Sequence, residues 1–169
     1  MATSPKSSGD MKEVPPSIVE RLKSGGTDRR SDTELRVDID TLRDEVRDHV
    51  SALLNTRTAE IEGLDAFPEA FRSILAYGVP DLSSFFQNSE QDKLRLIASI
   101  ERAIRTFEPR LDAQSVRVEM VNNASAEQGL KARLRVHAVL RIHPFHSPIV
   151  FDTAIDANTQ EVTVQENDG

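Results

Sequence analysis

The hydrophobic periodicity of this chain changes once, and the change falls beside the triplet Glu108-Pro109-Arg110. Before the triplet, apolar residues recur every three or four positions, as on the buried side of an amphipathic helix. After it, apolar and polar residues alternate, as in strands that bury one face. This order predicts an α+β domain: amphipathic helices are followed by an antiparallel sheet of three to four strands, one face of which is covered by helices.

Two segments before residue 80 predict helices. The first lies within residues 38–57, and its apolar stripe comprises Ile39, Leu42, Val46, Val50, Leu53 and Leu54. The second is shorter: Pro68 suits a first helical position and Gly78 suits the position after a helix end. We expect its apolar residues to point inward, namely Phe71, Ile74 and Leu75.

A third and longer helix is predicted to begin near Ser89. Its apolar stripe comprises Leu94, Ile97, Ile100, Ile104 and Phe107. Pro109 disfavours helical geometry at Glu108 and lacks a backbone N–H, so the helix should end near Phe107.

Four stretches with alternating apolar residues predict the strands: SVRVEMV, GLKARLRVHAVLRIH, PIVFDTAI and QEVTVQ. NNASAEQG is predicted to connect the first two strands as a hairpin, and ANT to form the turn before the last. The last strand is a candidate for a free sheet edge, and we expect Thr163 to direct a main-chain donor outward there.

The composition and motifs predict three segments. Residues 1–36 form a flexible tail, residues 37–165 form the α+β domain and residues 166–169 form a disordered end. Within the tail, a short helix is predicted near residues 17–24, where Ser17 suits an N-cap and Ile18 and Leu22 lie one turn apart. Such a short helix either folds back on its own domain or docks on another protein.

The charge and composition exclude several classes of function. The net charge is −7, and the chain contains no Cys, no Trp and a single Tyr. Absence of Cys excludes disulfides and thiolate metal chemistry and is consistent with a reducing cytoplasm. The negative charge disfavours nucleic-acid binding. Neither an export signal nor a membrane span is visible in the sequence, so we expect a cytoplasmic protein without direct membrane insertion.

Two polar patterns on the strands have simple structural interpretations. The second strand directs basic residues to its outer face, and we expect this face to be solvated or to meet a partner rather than nucleic acid. Its basic side chains either pair across the hairpin with Glu119 or are covered by acidic residues elsewhere. His143 and His146 resemble part of a metal site that Asp152 would extend, but two histidines beside prolines are more typical of a turn. We therefore expect neither metal nor cofactor.

The charges that flank Pro109 suit either an internal ion pair or a fixed polar contact with a partner. A cell-wall glycoside hydrolase is the alternative function, with Glu108 as one catalytic carboxylate. That chemistry requires a second carboxylate across a cleft, for which Asp112 and Glu119 are the candidates. The chain contains no nucleophile elbow, phosphate loop or dinucleotide fingerprint. We therefore expect no catalytic residue.

Three stretches in this order resemble the TssE family of type VI secretion baseplate subunits: RDEVRDHVSALLNTR, SILAYGVPDLSSF and IERAIRTFEPRL. TssE belongs to the lysozyme-related baseplate wedge family of contractile phages. The preceding PSIVERL, which contains Ile18, Arg21 and Leu22, is similar to the amino-terminal docking segment of that family. Residues 48–52 depart from the family pattern, which has a leucine-glutamate-tryptophan-like passage there.

The resemblance implies a structural protein of the cytoplasmic baseplate wedge and not an enzyme. Its partners would be the larger wedge subunits and the sheath subunits, whose polymerisation it would template. The implied partner-binding residues are those of the charged corner and the docking segment, namely Glu108, Pro109, Arg110, Ile18, Arg21 and Leu22.

Overall fold

The computed structural model describes residues 13–14, 37–59, 61–82, 90–121, 131–142, 145–156 and 158–167. These residues fall into two compact units, one within Met1–Glu45 and one within Val46–Gly169. In the first unit, strand β1 (Glu13–Val14) pairs antiparallel with strand β2 (Val37–Asp38). The predicted docking helix near residues 17–24 lies outside the described residues, and the predicted segment boundaries stay predictions.

The helices precede the main sheet along the chain, as the periodicity predicts. They are α1 (Ile39–Asn55), α2 (Pro68–Phe71) and α3 (Glu90–Phe107). The strands that follow are β3 (Arg117–Met120), β4 (Lys131–Ile142), β5 (Phe145–Asp156) and β6 (Val162–Glu166). They form an antiparallel sheet in the order β3-β4-β5-β6. The predicted α+β fold is confirmed.

The core of the second unit lies between the helices and one face of this sheet. Leu54 of α1 and Ile100 of α3 line the same small internal space as Leu134 of β4 and Val162 of β6. Alternate residues of the strands point inward, as a period of two requires. The completely buried side chains include Val46, Val50, Val79, Ile104, Val116, Val136, Leu140 and Phe151. Burial of these apolar groups provides the main driving force for the fold.

The second predicted helix is much shorter than its pattern indicates. Helix α2 ends at Phe71, and a separate 3-10 turn follows at Ile74–Ala76. Ser73 separates the two: its hydroxyl donates to the carbonyl of Ala70 and accepts from the N–H of Leu75. Such local side-chain bonds compete with helical geometry. The expected burial of Ile74 and Leu75 was wrong, since these residues are 85% and 51% exposed.

The apolar stripe of α3 differs from the prediction at its first position. Leu94 is exposed, whereas Leu96 is buried together with Ile100, Ala103 and Ile104. Positions 96, 100, 103 and 104 follow one side of a helix, and position 94 lies on the opposite side. The helix ends at Phe107, where Pro109 predicts it to end.

Strand β5 begins three residues earlier than the alternating pattern indicates, and it includes Pro148. Proline lacks the N–H that a ladder bond requires. Pro148 lies opposite Val139 of β4, and β6 pairs with β5 only from Phe151 onward. The missing donor therefore falls where β6 does not pair with β5.

None of the helices in the described part of the chain has both the length and the apolar content needed to cross a membrane.

Candidate partner-binding site

The charged corner after α3 is built around a buried carboxylate. The Glu108 side chain is only 2% exposed. Its Oε1 accepts hydrogen bonds from the backbone N–H of Arg110 at 3.2 Å and from Arg110 Nε at 2.8 Å. Its Oε2 accepts a bond from Arg110 Nη2 at 2.9 Å. This two-pronged arrangement fixes the plane of the guanidinium as well as its position.

Main-chain bonds attach the corner to the side of strand β4. The N–H of Asp112 donates to the carbonyl of Val139, and the N–H of Arg141 donates to the carbonyl of Arg110, both at 2.8 Å. Leu111 lies opposite Leu140 between these bonds, and both leucines are buried. The corner is thus anchored by apolar burial on one side of the chain and by the ion pair on the other.

His49 on α1 completes the polar network. Arg110 Nη2 lies 2.7 Å from His49 Nδ1, and Glu108 Oε2 lies 3.6 Å from the same nitrogen. A guanidinium only donates, so the short contact requires Nδ1 to accept and places the imidazole proton on Nε2. His49 was not identified from the sequence, because no pattern connects positions that lie 61 residues apart.

Of the two charged side chains of the corner, Arg110 is more exposed to solvent than Glu108. The Arg110 side chain is 20% exposed, and the exposed fraction of His49 is 47%. The sequence suggested either an internal ion pair or a contact with a partner, and the internal ion pair between Glu108 and Arg110 is present. A role of Glu108, Pro109 and Arg110 in partner binding stays a prediction, and the guanidinium of Arg110 is the charged group best placed for it.

Two aromatic rings support the corner from the side of α3. Tyr77 packs against Phe107 in an edge-to-face arrangement, with ring centroids 5.2 Å apart. Burial raises the pKa of the Tyr77 phenol above its ordinary value, and the negative charge of Glu108 raises it further. The phenol therefore stays neutral beside the carboxylate.

The geometry does not favour Glu108 as the acid of a glycoside hydrolase. Both of its oxygens are occupied by Arg110. The candidate second carboxylates are also engaged: Asp112 accepts from the N–H of Gln114, and Glu119 lies 3.1 Å from His137. An open groove of about 780 Å³ lies elsewhere, and its lining does not include Glu108. The arrangement holds a guanidinium rather than preparing a proton transfer.

The end of α1 protects the beginning of the last strand. Asn55 Nδ2 donates to the carbonyl of Val162 at 2.8 Å, and Asn55 Oδ1 accepts from the N–H of the same residue at 2.9 Å. Arg57 donates to the carbonyl of Gln160 in the turn before β6. These side chains belong to the LLNTR run, whose role in joining α1 to the sheet edge was missed by sequence reasoning.

Gly78 allows the two motifs LLNTR and YGVPD to meet. Main-chain bonds join Val79 to Thr56 and Thr58. Gly78 has a φ of +110°, and a Cβ atom there would lie 2.5 Å from the carbonyl oxygen of Thr56. Only glycine fits this close approach.

Beyond Val162, the direction of the main-chain groups of β6 follows from the ladder bonds with β5. The N–H of Asp156 donates to Glu161, and the N–H of Asn167 donates to Val150, which fixes the alternation along the ladder. The main-chain groups of Thr163 therefore face β5, and those of Val164 face outward. The expectation that Thr163 directs a donor outward was wrong. Among the residues that the structure describes, none bonds the outward N–H of Val164.

The opposite edge, at β3, is covered by α3. Glu101 Oε1 accepts from the N–H of Val118 at 2.9 Å, and its Oε2 binds Arg105 Nη2 at 2.8 Å. The same Arg105 nitrogen donates to the carbonyl of Val116 at 2.7 Å. Two linked side chains of one helix thus occupy outward main-chain groups at this edge.

The outer face of the sheet carries paired charges at its centre. Arg135 and Asp152 form a two-pronged ion pair with distances of 2.7 and 3.2 Å. The hydrogen bond from Arg135 lowers the pKa of the Asp152 carboxyl, and Asn167 contributes a second bond. His137 contacts Glu119 across β3 and β4, which confirms the expected pairing with this glutamate.

The histidine pair lies partly, and the docking segment wholly, outside the described residues. His146 lies opposite Arg141 in the β4–β5 ladder, whereas His143 lies outside the described residues. In the described part of the chain, no three His, Cys, Asp or Glu side chains form a group that could hold a metal ion. Ile18, Arg21 and Leu22 also lie outside it.

The fold and the site together define an α+β domain in which a buried carboxylate fixes a surface arginine beside a four-stranded antiparallel sheet. A family model described as baseplate wedge protein gp25 matches residues 40–144, and the chain belongs to this family. The match confirms the family indicated by the three sequence motifs and includes the charged corner. No curated protein and no solved structure matches the chain.

Proposed function

We propose that this protein is a structural subunit of a type VI secretion baseplate wedge in the cytoplasm. In this role it binds the larger wedge subunits and templates polymerisation of the contractile sheath. The observation that carries the proposal is the family match over residues 40–144, a family of baseplate wedge proteins. The alternative of a cell-wall hydrolase has weaker support, because Arg110 occupies both oxygens of Glu108.

The charged corner is proposed to bind a wedge subunit through Arg110. Glu108 is too deeply buried to contact a partner directly, so its role is to hold the guanidinium in one orientation. When a partner excludes water from such a group, loss of either member leaves a charge unpaired in the interface, which typically costs 2 kcal/mol or more in binding. An exposed pair that stays solvated contributes only about 0 to 1 kcal/mol.

Strand β6 is proposed to be the template edge for the sheath. Addition of a strand requires outward main-chain groups, and side chains then adjust its specificity. Beyond Val162, which Asn55 already binds, the outward groups of Val164 lie in a suitable position. This support is geometric and concerns the second half of β6.

Alanine variants of the corner test the wedge-binding role in a strain that expresses the whole secretion cluster with a fluorescent sheath subunit. Arg110→Ala and Glu108→Ala should abolish co-purification with wedge subunits and eliminate sheath structures. Arg95→Ala is the matched control, because Arg95 is an exposed arginine of α3 whose ion pair with Asp92 is also local. Wild-type binding by both corner variants would overturn the proposed role of the corner.

The docking segment needs a separate test. Deletion of residues 1–26, which include Ile18, Arg21 and Leu22, should abolish co-purification while the melting temperature changes little. A large loss of thermal stability in the isolated protein would show instead that this segment is part of the folded domain.

A further inference from the structure

Three basic residues occupy neighbouring register positions from the charged corner across the next two strands, and we call this set the basic row. On one side of Arg141 in β4 lies Arg110, whose carbonyl accepts a hydrogen bond from the N–H of Arg141. On its other side, Arg141 lies directly opposite His146 of β5. The main-chain pairing therefore aligns Arg110, Arg141 and His146 on adjacent segments. These residues are 31 and 5 positions apart in the chain, so the sequence does not show the row.

The ladder brings the side chains of Arg141 and His146 close together. The N–H of Arg141 points toward Arg110 and away from β5. Arg141 and His146 therefore form a non-hydrogen-bonded pair of the antiparallel ladder. Side chains in such pairs have Cβ atoms about 4.5–5.5 Å apart. Both residues are exposed. The pair therefore places the permanent positive charge of Arg141 beside a second basic residue.

The carboxylates around this row have other partners. Glu108 binds Arg110, and Glu119 contacts His137. Asp112, whose N–H binds the neighbouring position Val139, uses its carboxylate to accept from Gln114. Among the described residues, no carboxylate forms an ion pair with Arg141 or His146. Elsewhere on the same face, Arg135 is neutralised by Asp152.

We propose that Arg110, Arg141 and His146 form one continuous surface that binds an acidic segment of another protein. This proposal rests on the proposed function and specifies the partner's chemistry at the charged corner. The argument is charge complementarity together with continuity: the row begins at the guanidinium that Glu108 orients and adds two basic groups without an internal counter-charge.

The test measures binding of the full chain to the wedge subunits encoded with it, co-expressed and purified as a complex. Arg141→Glu and His146→Glu should each weaken binding by about tenfold or more, because each places a negative charge against an acidic partner. Arg133→Glu is the matched control: Arg133 is an exposed arginine of the same strand and face, opposite Ala154. Its effect should remain below about twofold.

Thermal unfolding of the free variants separates an interface effect from a folding effect. Arg141→Glu places a carboxylate between Arg110 and His146, so the melting temperature should be unchanged or higher while binding is lost. A lower melting temperature together with lost binding would attribute the loss to misfolding and overturn the interface role of Arg141.

The outcomes distinguish this inference from the proposed function. If the wild-type chain does not bind the wedge subunits, the proposed function fails and the inference fails with it. If the wild type binds and Arg141→Glu and His146→Glu bind equally well, only the inference fails. A 20-base-pair DNA duplex serves as the second probe. Binding of this duplex by the wild type and its loss in Arg141→Glu would overturn the acidic protein partner in favour of nucleic acid.

Discussion

The two edges of the main sheet are protected in different ways. At β3, Glu101 and Arg105 of one helix bind outward groups of Val118 and Val116. At β6, Asn55 binds both outward groups of Val162, which is the first residue of the strand. The β3 strand has four residues and β6 has five. The protection therefore covers Val118 and the residue just before the strand at the β3 edge, and only the first residue of the strand at the β6 edge.

The two edges differ in the number of helix side chains that bind them, namely two at β3 and one at β6. Exposed edges readily pair with other chains, and proteins usually block those that have no function. Here the blocking groups are polar side chains from the helices that also cover the sheet. A single carboxamide closes the start of β6 and thereby limits any added strand to the region from Val164 onward.

The largest difference is expected between prolines at two neighbouring positions of β6. Val164→Pro removes an outward donor, so sheath extension should fail while the isolated protein loses at most about 1 kcal/mol. Thr163→Pro removes a bond within the ladder and leaves the carbonyl of Ala154 without its donor, which costs roughly 1–3 kcal/mol.

Fluorescence microscopy of the sheath and denaturant unfolding of the purified variants measure the two effects. Normal sheath length in the Val164→Pro strain would exclude the outer side of β6 as the template edge.

The next largest effect is expected from the carboxamide at the start of β6. Asn55→Ala leaves the N–H and carbonyl of Val162 without their side-chain partners, and we expect a loss of about 2 kcal/mol in unfolding free energy. Asn55→Asp retains an acceptor for the N–H and should lose less. Equal stability of Asn55→Ala and the wild type, measured by urea unfolding, would show that water replaces both bonds without cost.

A smaller effect is expected at the β3 edge. Glu101→Gln keeps an oxygen that accepts from Val118 but removes the charge that binds Arg105. We expect a loss of about 1 kcal/mol, since the amide oxygen replaces only part of the interaction. Glu90→Gln is the matched control, because Glu90 on the same helix forms an exposed pair with Lys93. A cost no greater than that of the control would mean that the Glu101 charge does not protect this edge.

The smallest effect is expected from the ion pair between the edges. Asp152→Asn should cost less than about 1 kcal/mol at pH 7, because Arg135 and Asp152 remain partly exposed. The folded-state pKa of Asp152 is lowered from its ordinary value of 3.8. Its contribution is therefore complete above pH 3.8 and is lost as the pH falls through the lower folded-state pKa.

Unfolding curves of wild type and Asp152→Asn should accordingly converge as the solution is acidified below pH 3.8. A difference that grows on acidification would contradict the ion-pair explanation.

The order of helices and strands was predictable because each buries one face and thus imposes its period on the sequence. The inward positions of β4, for example Leu134 and Val136, follow directly from the alternation. Helix α2 was not predictable in this way. Its apolar residues have helical spacing, but Ser73 forms local bonds that end the helix, so Ile74 becomes exposed.

The candidate site was predictable only where its groups are close in sequence. Glu108 and Arg110 lie two residues apart on either side of a proline, so their pairing is a local property of the corner. His49, Arg141 and His146 reach the same region through α1 and the sheet. Their contribution depends on the register of β4 and on the packing of α1, which a single sequence does not specify.

The Asn55–Val162 pairing has a consequence for the order in which the chain folds. It joins positions 107 residues apart, and β6 occupies its place in the sheet by pairing with β5. Contacts between such distant positions form late, because a long segment must first be ordered. The edge proposed to start the sheath would therefore be completed only in a finished subunit. Partly folded chains would lack the template, and assembly could begin only from subunits whose folding is complete.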